Sequence, residues 1–243
     1  MRARGLAGHW TACRADYQAA VRACAAETFV RSVCDVGGGA NPTLDLDAIR
    51  ACDVRYTLLD VSAEELAKAP SGYRTVCADI TDPTVLAGEQ FDLVCTKTVA
   101  EHITDPRAFH RRVFELLSPG GVAIHVFPTL WALPYVVNRV LPGVVAERIL
   151  VRVQEGREPE GSEGKFRAYY RWCRGPTEGQ RERFERLGYE VRRYSGYFGH
   201  DYYRKLPALD RLEERKTAHL IERPRPRLTS FALVVLRKPR TAA

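Results

Sequence analysis

The sequence has no uninterrupted apolar run of about 18 residues, so no membrane-spanning helix is expected. Its first residues, Met1-Arg2-Ala3-Arg4-Gly5, carry two arginines but no following apolar core of signal-peptide type. The seven cysteines include no Cys-x-x-Cys pair, which argues against a disulfide framework and gives a zinc site little support. An odd count without framework spacing predicts reduced thiols and a cytoplasmic location. Cys34, Cys77 and Cys95 fall in expected buried strands, where cysteine acts as a small hydrophobe. There is no internal repeat, no Asn/Asp-Pro-Pro-Tyr-like base pocket, no RNA-binding module and no catalytic-cysteine motif.

Charge is present, and it is unevenly placed. Residues 1–125 hold 13 Lys and Arg against 16 Asp and Glu, whereas residues 126–243 hold 24 against 14. A net of −3 thus precedes a net of +10, so an anionic partner would meet the second half. The competing reading is solvated helix faces on which arginines neighbour glutamates, as in Arg181-Glu182-Arg183.

Strand and helix patterns alternate over the first 128 residues. His9–Thr28 has apolar residues at three- and four-residue steps and predicts an amphipathic helix. Short apolar runs follow at 32–36, 55–61, 74–80, 91–96 and 122–127. Between them lie a weak helix at 45–52, a helix start at Ser62 and a helix over 105–117. Continuous rather than alternating apolar strands predict a parallel sheet covered on both faces. Further on, the pattern predicts a helix over 177–187, a strand over 189–197, helix on either side of Pro207, and a last strand over 227–237. Residues 129–175 break the regularity and read as a substrate-binding insertion or lid within one 1–243 domain. One or two helices are expected over Leu130–Val153, and a loop over Gln154–Lys165.

In a parallel sheet, ligands bind beyond the carboxyl ends of the strands. Asp35, Asp60, Asp79 and Thr96 all stand at or just past such ends. Between the first two lies Gly37-Gly38-Gly39-Ala40-Asn41-Pro42, directly after an apolar strand. Glycines there allow a sharp bend and close approach of a ligand to the main chain; a flexible loop is the other reading.

These residues resemble class I S-adenosylmethionine-dependent methyltransferases of the small-molecule type. Val33–Asn41 looks like the first motif of that family, with Asn41 where a third glycine usually stands. Phe91–Val94, Val99–Ile103 and Leu117–Gly121 resemble later family motifs. The resemblance implies a Rossmann-like fold: a seven-stranded, mostly parallel sheet with helices on both faces and a helical or loop insertion after strand five. It also implies S-adenosyl-L-methionine as cofactor. Gly37, Gly38 and Gly39 would sit under its amino-acid end, Asp60 on the ribose hydroxyls, and Asp79 and Ile80 on adenine. Asp35, Val61, Thr96 and Lys97 complete the expected cofactor set. An acid about twenty residues past the glycines also occurs in dinucleotide folds, so Asp60 alone does not separate the cofactors.

The implied activity is methyl transfer to a small acceptor, a natural product or anionic metabolite, producing S-adenosylhomocysteine. RNA or a lipid-linked acceptor at a membrane surface is an alternative, as is a non-catalytic Rossmann-like nucleotide-binding protein. For proton transfer the candidates are His102 and His200, then His125, Asp201 and Glu101. His102 is equally readable as a structural residue at a helix start, and His125 as a core histidine. Tyr169, Tyr170, Trp172 and Tyr202 are candidate acceptor contacts, the first three alternatively a cluster packing the insertion onto the sheet.

Overall fold

The computed structural model describes residues 7–132, 136 and 167–240. Most of the expected Leu130–Val153 helices, and all of the Gln154–Lys165 loop, lie outside the described residues. The strands are β1 (Ala7–His9), β2 (Ser32–Val36), β3 (Arg55–Asp60), β4 (Arg74–Cys77), β5 (Phe91–Lys97), β6 (Leu117–Pro128), β7 (Glu190–Phe198) and β8 (Phe231–Arg237). The helices are α1 (Trp10–Ala25), α2 (Leu46–Cys52), α3 (Ala63–Ala67), α4 (Pro106–Leu116), α5 (Glu178–Glu185) and α6 (Pro207–Glu222).

All eight strands join one sheet in the order β1-β7-β8-β6-β5-β2-β3-β4. β8 is antiparallel to β6 and β7, and every other pairing is parallel. The expected Rossmann-like sheet is therefore present with one strand more than the expected seven. The addition is β1, three residues paired with β7, too short to show any period of its own.

Side chains alternate strictly between two apolar layers. Cys34, Leu59 and Val94 point to the layer containing Phe109, Val113 and Leu116 of α4 and Phe184 of α5. Val33, Leu58, Leu93 and Cys95 point to the layer containing Tyr17, Val21 and Ala25 of α1. Both faces of β2 are buried, which explains why its sequence is apolar without alternation. Three helices start where expected: Asp45, Ser62 and Asp105 each cap a helix by accepting from backbone N–H groups.

Several boundaries differ from the sequence reading. Strand β6 begins at Leu117, so Ser118–Gly121 continues the strand rather than separating it from α4. Residues 201–206 form turns, and helix begins only at Pro207. Residues 226–228 form a 3-10 turn, and β8 begins at Phe231. Cys77 is exposed, unlike Cys34 and Cys95, because β4 is the edge strand.

Candidate cofactor and acceptor site

The topology reverses at β2, which lies between β3 and β5. Its carboxyl end therefore opens the crevice in which ligands of such sheets sit. The glycine turn that follows is packed, not loose. Gly37 has φ +73°, and a methyl group on it would lie 2.2 Å from Val99. Gly39 has φ +36°, and a methyl there would lie 2.9 Å from Asp60 Oδ2 and from Glu65 Cβ. Crowding by Leu58 and Asp35 likewise leaves no room for a side chain at Gly38.

Four elements hold this turn. Asp35 is 1% exposed; its Oδ2 accepts from Thr43 N–H at 2.7 Å and from the Tyr56 hydroxyl at 2.6 Å. Oδ1 receives the Cys95 thiol at 3.5 Å. Thr43 also meets the Tyr17 hydroxyl of α1 at 3.2 Å. From β5, the Lys97 ammonium donates to the Asn41 carbonyl at 3.1 Å, and burial lowers its pKa. Burial raises the Asp35 pKa, against the hydrogen bonds from Tyr56 and Thr43. Asp35 and Lys97 are thus the braces of the turn.

Asp60 ends β3 with its two oxygens in different situations. Oδ1 accepts from Ser62 N–H at 2.9 Å. Among the described residues no protein donor reaches Oδ2, the oxygen facing Gly39. Val61, half exposed, lies beside it. Asp79 is exposed, with Oδ1 accepting from the backbone and hydroxyl of Thr81, both at 2.8 Å. These groups suit a ligand carrying hydroxyls, a flat apolar ring and a hydrogen-bond donor.

Two expected cofactor contacts point elsewhere. Ile80 is 3% exposed and packs in the α4-side core, so its side chain is not presented to a ring. Thr96 is fully buried, and its hydroxyl meets His125 Nδ1 at 2.9 Å. Its position at a strand end was legible; the two-residue alternation turns it into the same layer as Val94.

The segment 167–173 returns over the start of the β5–α4 connection. The N–H groups of Tyr169 and Tyr170 both donate to the Glu101 carbonyl, at 2.6 and 3.0 Å. Tyr170 and Trp172 hold φ of +51° and +60°, and Thr98 beneath holds +55°. Left-handed backbone at such residues costs about 1–2 kcal/mol each and concentrates at functional sites. Tyr170 is buried in the core, and Trp172 stacks on His110 at 5.9 Å and 13°. As acceptor contacts these two are corrected: they pack the returning segment onto the sheet. Tyr169 stays half buried with the Arg167 guanidinium 5.5 Å from its ring.

The two candidate histidines hold opposite tautomers. His102 Nδ1 lies 3.2 Å from the Arg167 carbonyl. A carbonyl only accepts, so Nδ1 carries a proton; in the neutral ring the lone pair is then on Nε2, which lies 4.0 Å from Glu101 Oε1. At His200, Tyr202 N–H donates to Nδ1 at 3.3 Å, which places the proton on Nε2, 3.5 Å from Glu213 Oε1. The His102 side chain is 33% exposed and that of His200 0%. His200 is therefore sealed between β7 and α6, with Tyr202 and Tyr203 edge-on to its ring. Sequence position alone had made it a proton-transfer candidate.

Glu101, the last of the proton-transfer candidates by sequence, carries a strongly perturbed carboxyl. It is 5% exposed, Oε2 has no hydrogen-bond partner, and burial pushes its pKa up to about 8. No pattern in the sequence signalled this, because the enclosure comes from residues 167–173. A concavity of about 580 Å³ lined by Ser32, Arg55, Tyr73 and Phe91 opens at the opposite, amino edge of the sheet. Of the groups above only Tyr56 reaches it, so the carboxyl edge is the candidate site. No group of three or more potential metal ligands occurs among the described residues.

Residues 34–125 match the family model of the methyltransferase domain. The fold is similar to an S-adenosylmethionine-dependent methyltransferase from Clostridium acetobutylicum, at 13% identity and TM-score 0.54, covering 95% of this chain and 92% of that one. It is also similar to phosphoethanolamine N-methyltransferase 2 from Haemonchus contortus in complex with S-adenosyl-L-methionine. There the identity is 12% and the TM-score 0.56, covering 93% of this chain and 52% of that one. The cyclase SpnF matches at 16% identity and TM-score 0.57, covering 99% and 86%, so likeness at this level reports fold and not reaction. No curated protein matches the sequence.

The matched segment is a methyltransferase domain, and the sheet around it has the fold of S-adenosylmethionine-dependent methyltransferases. Together they support S-adenosylmethionine-dependent methyl transfer as the activity.

Proposed function

We propose that the acceptor is a small anionic molecule, methylated beneath residues 167–173. The observation that carries this reading is the return of that segment over Glu101, where Tyr169 and Tyr170 both bond to one carbonyl. A cover of this kind would keep out a folded macromolecule and so favours a compact acceptor. The basic balance of residues 126–243 favours an anionic one.

The fit to the cofactor rests on the Gly39 cradle and on the open Oδ2 of Asp60. In this reading Gly37–Gly39 underlie the amino-acid end, Asp60 accepts from a ribose hydroxyl, Val61 lies on adenine and Asp79 accepts from the adenine amine. Bound S-adenosylmethionine supplies a methyl group on a sulfonium that leaves as a neutral thioether. The leaving side needs no acid, so the protein's tasks are alignment and, for a hydroxyl acceptor, proton removal. Nε2 of His102 carries the lone pair for that step. Glu101, holding its proton near neutral pH, places no carboxylate charge beside an anionic acceptor.

The test is incubation with methyl-labelled cofactor and fractionated cell extract, followed by mass spectrometry. Label in a small anionic product supports the reading. Label confined to RNA or protein overturns it.

A further inference from the structure

Between α6 and β8 runs Arg223-Pro224-Arg225-Pro226-Arg227-Leu228. All six residues are exposed, and among the described residues none of the three arginines makes a salt bridge or side-chain hydrogen bond. Some exposed arginines sit on acids, as Arg22 on Asp45, Arg74 on Glu89 and Arg186 on Glu182, and others, such as Arg107 and Arg211, are exposed singly. Here three positive charges stand within five residues with no acid between them. Among the described residues no salt bridge relieves their mutual repulsion.

The strap is stiff and fixed in place. Pro224 and Pro226 lock φ and have no N–H to donate to a sheet ladder. Leu228 N–H donates to the Arg225 carbonyl at 2.8 Å, and the Thr229 hydroxyl to the Pro226 carbonyl at 3.2 Å. A methyl group on Gly175 would lie 1.8 Å from that same carbonyl, so the 173–176 segment is pressed against it. Phe231 pairs with Pro128 and with Tyr197. The strap therefore lies past the carboxyl ends of β6 and β7, on the sheet edge that also carries the glycine turn.

Apolar groups accompany the charges. Leu228 is 49% exposed and Trp131 is 51% exposed. Trp131 lies on the same edge, since Thr129 N–H bonds the Ser230 carbonyl at 2.8 Å. One ring face of Trp131 is covered by the Arg174 guanidinium at 5.4 Å.

We infer that this strap docks the enzyme on an anionic phospholipid surface, with the catalytic edge of the sheet turned toward the lipid. Unpaired guanidiniums meet lipid phosphates and carboxylates, while Leu228 and Trp131 enter the headgroup layer. A single-stranded nucleic acid is the other polyanion. It would call for open stacking faces, whereas Leu228 has none and Trp131 has one face taken. No helix among the described residues is long and apolar enough to cross a membrane, so the contact is peripheral.

The experiment is sedimentation of the full chain with phosphatidylserine-rich vesicles and, separately, with pure phosphatidylcholine vesicles. Binding to the first, weakened by salt, is expected. The triple variant Arg223→Ala, Arg225→Ala, Arg227→Ala should lose on the order of 100-fold in partitioning. Its melting temperature and cofactor affinity should be unchanged, since the three side chains touch neither core nor site. Leu228→Ser should weaken binding on both low- and high-salt buffers alike. Absence of wild-type binding overturns the inference, as does equal binding by the triple variant. Arginine-dependent binding to oligouridylate without vesicle binding also overturns it, in favour of nucleic acid.

Discussion

Gly39 and Asp60 share one small volume: a methyl group on the glycine would lie 2.9 Å from the carboxylate oxygen that no protein donor reaches. The backbone at Gly39 is also left-handed. Gly39→Ala should therefore weaken S-adenosylmethionine binding at least tenfold. Asp60→Asn should weaken it by about 10- to 100-fold, the size of a lost charge-assisted bond. Isothermal titration measures both, and unchanged affinity in the two variants would remove the site from this edge.

Asp35 makes a different prediction although it stands two residues from the glycines. Its carboxylate is spent on Tyr56, Thr43 and Cys95. Asp35→Ala should cost about 2–4 kcal/mol, because buried donors lose their acceptor. Denaturant melts report this directly. A variant of normal stability that no longer binds cofactor would instead make Asp35 a ligand contact.

The two histidines can be separated kinetically. His102→Asn keeps a donor for the Arg167 carbonyl but removes the Nε2 lone pair, and should lower kcat by about 100-fold or more at unchanged cofactor affinity. His200→Asn should lower stability and leave the turnover of folded enzyme near normal. The reverse pattern would return proton transfer to His200.

Glu101 sets a stability slope on the alkaline side. Its folded pKa of about 8 lies above its ordinary value of 4.5. Between those values the folded chain holds a proton that the unfolded chain has released. Stability from this group is complete below pH 4.5 and is lost as pH rises toward 8. Glu101→Gln should melt higher than wild type at pH 8 and lose that advantage near pH 4.5. Parallel melting curves across this range would count against a buried neutral acid.

The acid side is set by His110 and His125. Burial holds His125 at about 3 and His110 well below 6.5. The unfolded chain binds these protons first, so their contribution is present above pH 6.5 and is lost as pH falls toward 3. His110 lies edge-on to Phe109 and Phe184. His110→Phe should flatten the acid limb of a melting-temperature profile, and an unaltered limb would assign it elsewhere.

The sequence made some of these groups legible and hid others, for physical reasons. The glycine turn and Asp60 were readable because a strand, a turn and a second strand fix them within thirty residues. Thr96 and Ile80 were placed at the correct edge but with the wrong facing, since position along a strand does not show which layer a side chain enters. Glu101 depended on Tyr169 and Tyr170, sixty-eight and more residues away, for its enclosure. The tautomers of His102 and His200 depended on single backbone groups that no local pattern announces.

The placement of β8 has a kinetic consequence. This strand follows all the others in the chain, yet it lies between β6 and β7 inside the sheet. During synthesis β2 to β6 can pair as they emerge, whereas β7 and β1 have only each other until Phe231–Arg237 has been made. Closure of the sheet thus waits on β6–β8 contacts between residues as far apart as Val122 and Arg237, and such distant contacts are the slow class in folding. Until then the β6 margin stands open to other chains, and crowding or a chaperone at that moment will decide how much enzyme is recovered.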